Sequence, residues 1–275
     1  MDLDLTGHRA VVTGASVGIG AETVRVLAEH GADVAFCART PDAVDALVAE
    51  LAAAGGGKVS GYVADLGDGD ATERFADAVE ADLGAPDLLV NNVGASPSRN
   101  FLYMTDDEWR DLFELNVMAA VRLTRRFLPA MRTAHWGRVV MINTVAAKYP
   151  GAALVDYAAT KAALAAATKA LARKYAADGV LINSVMPGRV RTAMWERTAL
   201  EIAESRGSTD QEAIEAVFTE RSTDIPIGRY GTSREIANAV LFLCSDLASN
   251  TTGGQFVVDG GRTATGGALT NLVGR

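Results

Sequence analysis

The chain has 275 residues, which is enough for one large α/β domain or two small ones. Hydrophobic residues make up 49% of it, so a large core is available and disorder is disfavoured. The formal net charge of −8 disfavours nucleic acids and anionic membrane surfaces as partners, because both are bound through basic patches.

Short apolar runs that resemble strands alternate along the chain with longer helical patterns. The predicted strands cover Arg9–Thr13, Asp33–Ala38, 59–64, 88–90, 138–142, 180–185 and Gln255–Val258. The predicted helices cover 18–30, Pro41–Ala54, 70–83, 106–133 with a kink expected at Pro129, 155–177 and 233–248. Since apolar, non-alternating strands between helices are typical of parallel sheets, we expect an α/β fold, a doubly wound parallel seven-stranded sheet.

This single domain is predicted to span residues 1–261 and to bind its ligand at the carboxyl ends of the strands. Residues 192–225 are helical but loosely patterned, and they interrupt the alternation of strands and helices. Such a long insertion at the end of a strand is a candidate substrate lid. Residues 262–275 form a Gly/Thr-rich C-terminal tail, either a loose end or an arm that reaches a neighbouring subunit.

The cellular location predicted from the sequence is the cytoplasm. The N-terminus is acidic, without the layout of a signal peptide, and no apolar stretch is long enough to span a bilayer. Cys37 and Cys244 lie in apolar patterns without metal-binding spacing. We interpret both as small buried hydrophobic residues, and we expect no metal and no disulfide.

Three glycines fill the turn between the first predicted strand and the first predicted helix. Gly14, Gly18 and Gly20 would let the backbone turn tightly and approach a pyrophosphate, which the free N–H groups of the helix N-terminus attract. The spacing is GxxxGxG, and its strand–loop–helix context predicts dinucleotide binding.

The end of the second predicted strand favours NADP(H), with NAD(H) as the other possibility. NAD binders usually place an acid there for the ribose hydroxyls, whereas an arginine suits a 2′-phosphate. Here Arg39 follows the strand, and no acid occurs before Asp42. The guanidinium can meet a phosphate with two parallel hydrogen bonds. A second basic residue at position 17 would strengthen the choice of NADP(H), but this position is occupied by Val17.

Tyr157 and Lys161 are four residues apart on a predicted helix, so their side chains lie on the same face. A free tyrosine has a pKa of about 10, and lowering it to about 7 requires roughly 4 kcal/mol. One positive charge about 4 Å away supplies about that much at an effective dielectric constant of about 20. The pair therefore predicts a proton donor for neutral pH, although the same spacing also occurs by chance on surface helices.

Together these residues resemble the short-chain dehydrogenase/reductase family in its single-domain form, over about residues 5–261, and within it the 3-oxoacyl-[acyl-carrier-protein] reductase-like members. The family's NNAG appears as Asn91 to Gly94 with valine for alanine, its YxxxK as Tyr157 and Lys161, and its closing strand as Val258 to Gly261. The implied catalytic residues are Asn116, Thr144, Tyr157 and Lys161. The implied cofactor-binding residues are Gly14, Ser16, Val17, Gly18, Ile19, Gly20, Arg39, Asp65, Leu66, Asn92, Gly94, Tyr157, Lys161, Pro187, Gly188, Val190 and Thr192.

The resemblance implies an NADP(H)-dependent oxidoreductase that interconverts a ketone and a secondary alcohol, with Tyr157 as the general acid or base. Lys161 would lower the pKa of Tyr157 and hold the ribose hydroxyls, while Asn116 would hold a water for proton refill. Thr144 stands where family members usually carry serine. It keeps the hydroxyl for the substrate oxygen but adds a methyl group that narrows the space.

The candidate pocket residues favour a hydrophobic small-molecule carbonyl or alcohol substrate, since most are apolar: Ala95, Ser96, Tyr149, Met194 and Trp195. Arg189, Arg191 and Arg197 could bind an acidic carrier, although the net charge of −8 works against this. The family implies a homotetramer or homodimer, and the alanine-rich face over 162–170 would allow close helix packing.

Two alternatives to this function stay open, an NAD-dependent alcohol dehydrogenase of the same family and a non-catalytic NADP(H)-binding sensor. The complete implied catalytic set argues against the sensor. Epimerase or dehydratase chemistry on nucleotide sugars is disfavoured, because the members with those activities are generally longer than 275 residues.

Overall fold

The computed structural model describes residues 3–264, so most of the predicted tail (265–275) lies outside the described residues. The strands are β1 (Arg9–Thr13), β2 (Asp33–Ala38), β3 (Val59–Val63), β4 (Leu88–Asn91), β5 (Gly137–Ile142), β6 (Val180–Pro187), β7 (Val190–Arg191), β8 (Gly231–Thr232) and β9 (Gln255–Val258). The α-helices are α1 (Gly18–Glu29), α2 (Pro41–Ala54), α3 (Gly69–Leu83), α4 (Asp106–Phe113), α5 (Ala119–Ala134), α6 (Val155–Tyr175), α7 (Ala193–Ser205), α8 (Gln211–Glu220) and α9 (Ser233–Cys244).

The central sheet has seven parallel strands in the order β3-β2-β1-β4-β5-β6-β9, which confirms the predicted fold. From β1 the chain continues to β2 on one side and returns as β4 on the other. The connections therefore diverge between β1 and β4, and a crevice for a ligand opens at the carboxyl ends of these strands. The short parallel pair β7–β8 was not predicted, because two residues carry no periodic signal.

Both faces of the sheet are covered, as the apolar strands predict. Successive side chains of a strand point to opposite faces. In β4, Leu88 and Val90 belong to the core cluster that includes residues of α1 and α9, whereas Leu89 belongs to the cluster that includes residues of α3, α5 and α6. Helices therefore cover β4 on both faces, as expected for an apolar strand of a parallel sheet.

The helix predicted for 106–133 is interrupted by a π-turn, Glu114–Met118, between α4 and α5. Helix α5 continues through Pro129 to Ala134, and the kink expected at Pro129 stays a prediction. The π-turn carries Asn116, one of the predicted catalytic residues. Turns of this kind often occur at functional sites, because the extra residue redirects a side chain.

Residues 192–225 contain the helical hairpin α7–α8, in agreement with their helical pattern. The hairpin has a small core of its own, formed by Ala199, Ala203, Val217, Phe218, Ile225 and Tyr230. Arg191 of β7 fastens both helices, because its guanidinium contacts Glu196 on α7 and Glu215 on α8, the latter at 2.6 Å. A role of this hairpin as a lid stays a prediction. No helix within residues 3–264 has both the length and the apolar character needed to cross a membrane.

Replacement of Leu89 by alanine tests the core between the sheet and α3, α5 and α6. The side chain is fully buried, so Leu89→Ala should lower the free energy of unfolding by about 2 to 5 kcal/mol. Leu102→Ala is the matched control, since Leu102 is 81% exposed and its loss should cost less than about 0.5 kcal/mol. Urea unfolding measures both. Equal losses in the two variants would contradict this assignment of the core.

Candidate active site

Thr13 and Asn92 join the carboxyl ends of β1 and β4 at the crevice. The Thr13 hydroxyl accepts hydrogen bonds from the backbone N–H groups of Asn92 and Val93, both at 2.9 Å. The Asn92 side-chain amide donates to the carbonyl oxygens of Thr13 (2.8 Å) and Gly14 (2.9 Å). The glycine loop is thus anchored to the segment that follows β4.

The glycine loop needs its glycines for two reasons. Gly14 has a φ of +64°, and a Cβ on it would lie 2.9 Å from the Cα of Val93. A Cβ on Gly20 would lie 2.5 Å from both the Asn92 side-chain amide and the carbonyl oxygen of Gly14. Any side chain at either position would separate the loop from β4.

Helix α1 begins directly after this loop, and no side chain caps it. Val17 at its N-cap position makes no side-chain hydrogen bond and is 60% exposed. The first-turn N–H groups and the positive end of the helix dipole are therefore available to an anion such as a pyrophosphate. Ser16 and Ile19 are the other predicted cofactor contacts in this loop and first turn. Both side chains are partly buried.

The residues predicted for the adenosine end lie at the ends of β2 and β3. Arg39 and Asp65 line one depression of about 440 Å³. Asp65 is exposed, and one of its carboxylate oxygens accepts a hydrogen bond from the backbone N–H of Gly67 at 3.0 Å. Leu66 is buried in the core, so only its backbone can face a ligand.

The residues predicted for the nicotinamide end follow β6. Pro187 ends β6, and the Gly188 backbone N–H donates to the carbonyl oxygen of Val258 in β9 at 3.0 Å. Val190 is buried in β7. A Cβ on Gly18 would lie 3.5 Å from the Thr192 methyl carbon, so Thr192 faces the glycine loop. The structure therefore brings both ends of the predicted cofactor site to one edge of the sheet.

Asn116 fastens the segment after β4 to the catalytic helix α6. Its side-chain oxygen accepts from the Ala95 backbone N–H at 2.8 Å, and its amide donates to the Ala95 carbonyl oxygen (3.0 Å) and the Thr160 hydroxyl (3.1 Å). A Cβ on Gly94 would lie 3.1 Å from the Asn116 oxygen and 3.3 Å from Lys161 Nζ. The absence of a side chain at Gly94 thus leaves space between these two polar groups.

Thr144, Tyr157 and Lys161 come together at the carboxyl end of β5. The Thr144 hydroxyl lies beside the Tyr157 hydroxyl, within reach of a hydrogen bond that favours the phenolate. Lys161 is only 4% exposed, and its Nζ donates to the carbonyl oxygen of Ile142 at 2.9 Å. Its Nζ lies 6.0 Å from the centre of the Tyr157 ring. The four predicted catalytic residues therefore share one buried polar cluster.

The electrostatic relation of Tyr157 and Lys161 differs from the sequence expectation. Burial raises the pKa of Tyr157 above its ordinary value, and the hydrogen bond with Thr144 acts in the opposite direction. Burial also lowers the pKa of Lys161 to about 8. The expectation considered the ammonium about 4 Å away and left out the cost of burying the phenolate, which is the larger effect here. Tyr157 in this protein is thus a protonated phenol at neutral pH.

Two supporting features of this cluster were not predicted. Asn143 donates from its side-chain amide to the Lys161 carbonyl oxygen at 3.1 Å and so joins β5 to α6. Asp156 is only 1% exposed; it accepts from the Tyr157 backbone N–H at 2.8 Å and lies 3.3 Å from Arg99 Nη1. Asn143 could have been noticed as an amide beside Thr144, whereas no sequence signal relates Arg99 to Asp156.

The residues predicted to line the substrate pocket or to bind an acidic carrier lie in different settings. Trp195 packs edge-on against Tyr230 in the core of the α7–α8 hairpin, whereas Met194 is exposed. Arg191 is held by Glu196 and Glu215, as described above, and Arg189 by Asp224 at 2.7 Å, so acids of the chain already neutralise both. Arg197 is exposed. The structure does not assign Ala95, Ser96 or Tyr149 to a substrate.

Comparison with known proteins decides the family. A family model described as short chain dehydrogenase matches residues 8–202. This chain belongs to the short-chain dehydrogenase/reductase family. It is accordingly an oxidoreductase that interconverts C–OH and C=O groups with a nicotinamide cofactor. The crowded glycine loop, the uncapped start of α1 and the space beside Gly94 fit such a cofactor.

The relatives of this short-chain dehydrogenase match it over nearly its whole length. The 3-oxoacyl-[acyl-carrier-protein] reductase FabG of Escherichia coli is 34% identical over 94% of this chain and 98% of its own. An uncharacterized oxidoreductase of Bacillus subtilis is 35% identical over 95% of this chain and 98% of its own. The L-sorbose reductase of Gluconobacter frateurii, solved with NADPH and L-sorbose, superposes with a TM-score of 0.92 at 32% identity, over 96% of this chain and all of that one.

Replacement of Tyr157 by phenylalanine tests its assignment as the proton donor of this short-chain dehydrogenase. Tyr157→Phe should lower kcat by at least about a hundredfold, because general acid catalysis is lost while the ring still fills its place. Cofactor affinity should stay within about twofold, since the phenol oxygen supplies little of the binding energy. Tyr175→Phe, at the other end of α6, is the control. A variant that kept more than about a tenth of the activity would contradict the assignment.

The pH dependence of carbonyl reduction tests the buried lysine. In the predicted mechanism, reduction would turn Tyr157 into a phenolate, which the Lys161 ammonium would stabilise only while it carries its proton. Since the pKa of Lys161 is about 8, kcat/KM for reduction should be flat below pH 8 and fall as the pH rises through this value. Steady-state rates between pH 6 and 10 at saturating cofactor give the profile. A profile that stays flat up to pH 10 would contradict the lowered pKa.

Proposed function

We propose that this protein is an NADP(H)-dependent reductase that converts the ketone of a small, free substrate into a secondary alcohol. The observation that carries the choice of cofactor is the unpaired guanidinium of Arg39 at the end of β2. Within residues 3–264, Arg39 makes no ion pair or hydrogen bond. An acid that would bind the ribose hydroxyls of NAD(H) is absent between Arg39 and Asp42.

The residues of the chain would divide the reaction as follows. The nicotinamide, when bound, supplies the hydride that attacks the carbonyl carbon. Tyr157 gives the carbonyl oxygen its proton, and Thr144 donates a hydrogen bond to the same oxygen, where negative charge develops. Lys161 stabilises the resulting phenolate and holds the ribose. Asn116 retains a lone pair on its side-chain oxygen for the water that the family resemblance implies.

The solved relatives support this choice of cofactor. The L-sorbose reductase of Gluconobacter frateurii is named as a complex with NADPH. A 3-oxoacyl (acyl-carrier-protein) reductase of Agrobacterium tumefaciens, named with NADP bound, superposes with a TM-score of 0.84 at 31% identity, over 94% of this chain and 95% of that one. The direction of reduction is supported by the raised pKa of Tyr157, because a phenol that keeps its proton at neutral pH is a proton donor.

The charges near the site favour a free substrate over one attached to an acidic carrier. Arg189 and Arg191, the basic residues closest in sequence to the predicted nicotinamide contacts, are bound to Asp224, Glu196 and Glu215. Capture of a carrier by these arginines would break ion pairs that hold the α7–α8 hairpin. The overall charge of −8 would also repel an acidic carrier.

A homotetramer and a cytoplasmic location belong to the same proposal. The small residues on the outer side of α6 support the first, because Ala162, Ala166 and Ala170 are exposed and four residues apart. The second is supported by Cys37 and Cys244, which are both buried and unbonded. Size-exclusion chromatography with light scattering tests the assembly.

A screen of free ketones tests the proposed activity. The purified protein is incubated with NADPH or NADH and a panel of aliphatic, cyclic and polyhydroxylated ketones, together with one 3-oxoacyl carrier substrate, and nicotinamide absorbance is followed. The proposal expects turnover of a free ketone with NADPH. Faster oxidation of secondary alcohols with NAD would support the alternative dehydrogenase. Binding of NADPH without turnover of any substrate would support the sensor.

Replacement of Arg39 by glutamine tests the cofactor preference within this proposal. Arg39→Gln should raise Kd for NADPH by about 10- to 100-fold, because a charge-assisted bidentate contact to a phosphate is lost. Kd for NADH should change by less than about twofold, since NADH carries no phosphate at this position. Fluorescence titrations give both constants. An unchanged ratio of the two would mean that Arg39 does not contact the 2′-phosphate.

A further inference from the structure

We propose that Arg74 of helix α3 is a second cation, in addition to Arg39, for the adenosine 2′-phosphate of NADP(H). This inference rests on the proposed function. The sequence offers no second basic residue at Val17, next to the glycine loop. The structure supplies Arg74 from another element, because Arg39 and Arg74 line the same depression of about 440 Å³.

Helix α3 carries acids that pair with α5 and one arginine, Arg74, that lines the depression. Glu73, Asp77 and Glu80 recur at helical spacing and surround one residue of α5, Arg126, whose guanidinium lies 2.6 Å from Glu80 and 2.7 Å from Asp77. The other face turns towards the end of β3 and lines the depression with Ala71, Arg74, Phe75 and Ala78. The two acids of α3 next to Arg74 along the helix, Glu73 and Asp77, are therefore paired with Arg126 and not with Arg74.

Arg74 is exposed and makes no ion pair or hydrogen bond within residues 3–264. Acids are available to it along the helix, with Asp70 four residues before it and Asp77 three residues after it. It pairs with neither. Since Arg39 is also unpaired, two arginines without partners line one depression, and an anion bound there could pair with both.

The remaining walls of the depression fit an adenosine attached to such an anion. Val63, which is exposed, lines it together with Tyr62, whose hydroxyl donates to Asp82 at 2.7 Å. The apolar carbons can therefore contact a base or a ribose. Asp65 offers one carboxylate oxygen beyond the one that accepts from Gly67, and this oxygen can accept a hydrogen bond from an amino group.

The charges of this depression match a phosphate and not a neutral ligand. Two arginines and one aspartate leave one net positive charge, which a doubly charged phosphate monoester attracts. Each guanidinium can present two parallel N–H donors to the phosphate oxygens. NADH carries hydroxyls in place of this phosphate, so the contribution of Arg74 should be confined to the phosphorylated cofactor.

The test compares Arg74→Gln with Arg173→Gln. Arg173 is also an exposed arginine that makes no ion pair or hydrogen bond within residues 3–264, and it lies in the last turn of α6. For each variant and the wild type, Kd is measured for NADPH and NADH. Adenosine 2′,5′-bisphosphate and 5′-AMP are then titrated as competitors, because they carry the same end of the cofactor without the nicotinamide.

We expect Arg74→Gln to raise Kd for NADPH and for adenosine 2′,5′-bisphosphate by about five- to thirtyfold, a range that allows for screening at an exposed site. Kd for NADH and 5′-AMP should stay within about twofold, and Arg173→Gln should resemble the wild type. An unchanged NADPH affinity in Arg74→Gln would overturn the inference. So would an equal loss for both cofactors, which would indicate a role in the shape of the site. Failure of the proposed function would appear already in the wild type, as a preference for NADH.

Discussion

Four hydrogen bonds between Thr13, Gly14, Asn92 and Val93 hold together the carboxyl ends of β1 and β4, and the rest of the site depends on them. The sheet connections diverge between these two strands, so the backbone there would otherwise separate. Because the Asn92 amide occupies the space where a Gly20 side chain would lie, the same contact that joins the strands also demands glycine in the loop. The uncapped start of α1 follows directly from this turn.

The catalytic side of the site is built from polar groups that are costly to bury. Lys161 is nearly inaccessible, and the structure retains it by a hydrogen bond to a strand carbonyl while Asn143 binds its backbone. Asn116 satisfies both polar groups of Ala95. This burial is also the source of the shifted pKa values of Tyr157 and Lys161, so the features that lower stability here are those that would prepare the proposed proton donor.

Much of this arrangement could be predicted from the sequence, because apolar runs and glycine spacing are local signals. All seven strands of the central sheet lie where their apolar runs predict them. The π-turn around Asn116 has no such signal, since an extra residue in a helical turn leaves the pattern almost unchanged. Packing of Trp195 inside the α7–α8 hairpin and the approach of Arg99 to Asp156 depend on tertiary contacts. The pKa of Tyr157 depends on how deeply its hydroxyl is buried, which the spacing of Tyr157 and Lys161 does not reveal.

The central claim is that this edge of the sheet binds NADP(H) in preference to NAD(H) for the reduction of a ketone. The most direct measurement is a titration of the unmodified protein with NADPH and with NADH, followed by nicotinamide fluorescence at physiological ionic strength. The account predicts that NADPH binds at least about tenfold more tightly, as expected for one phosphate held by charge-assisted hydrogen bonds. Equal affinities, or a preference for NADH, would contradict it.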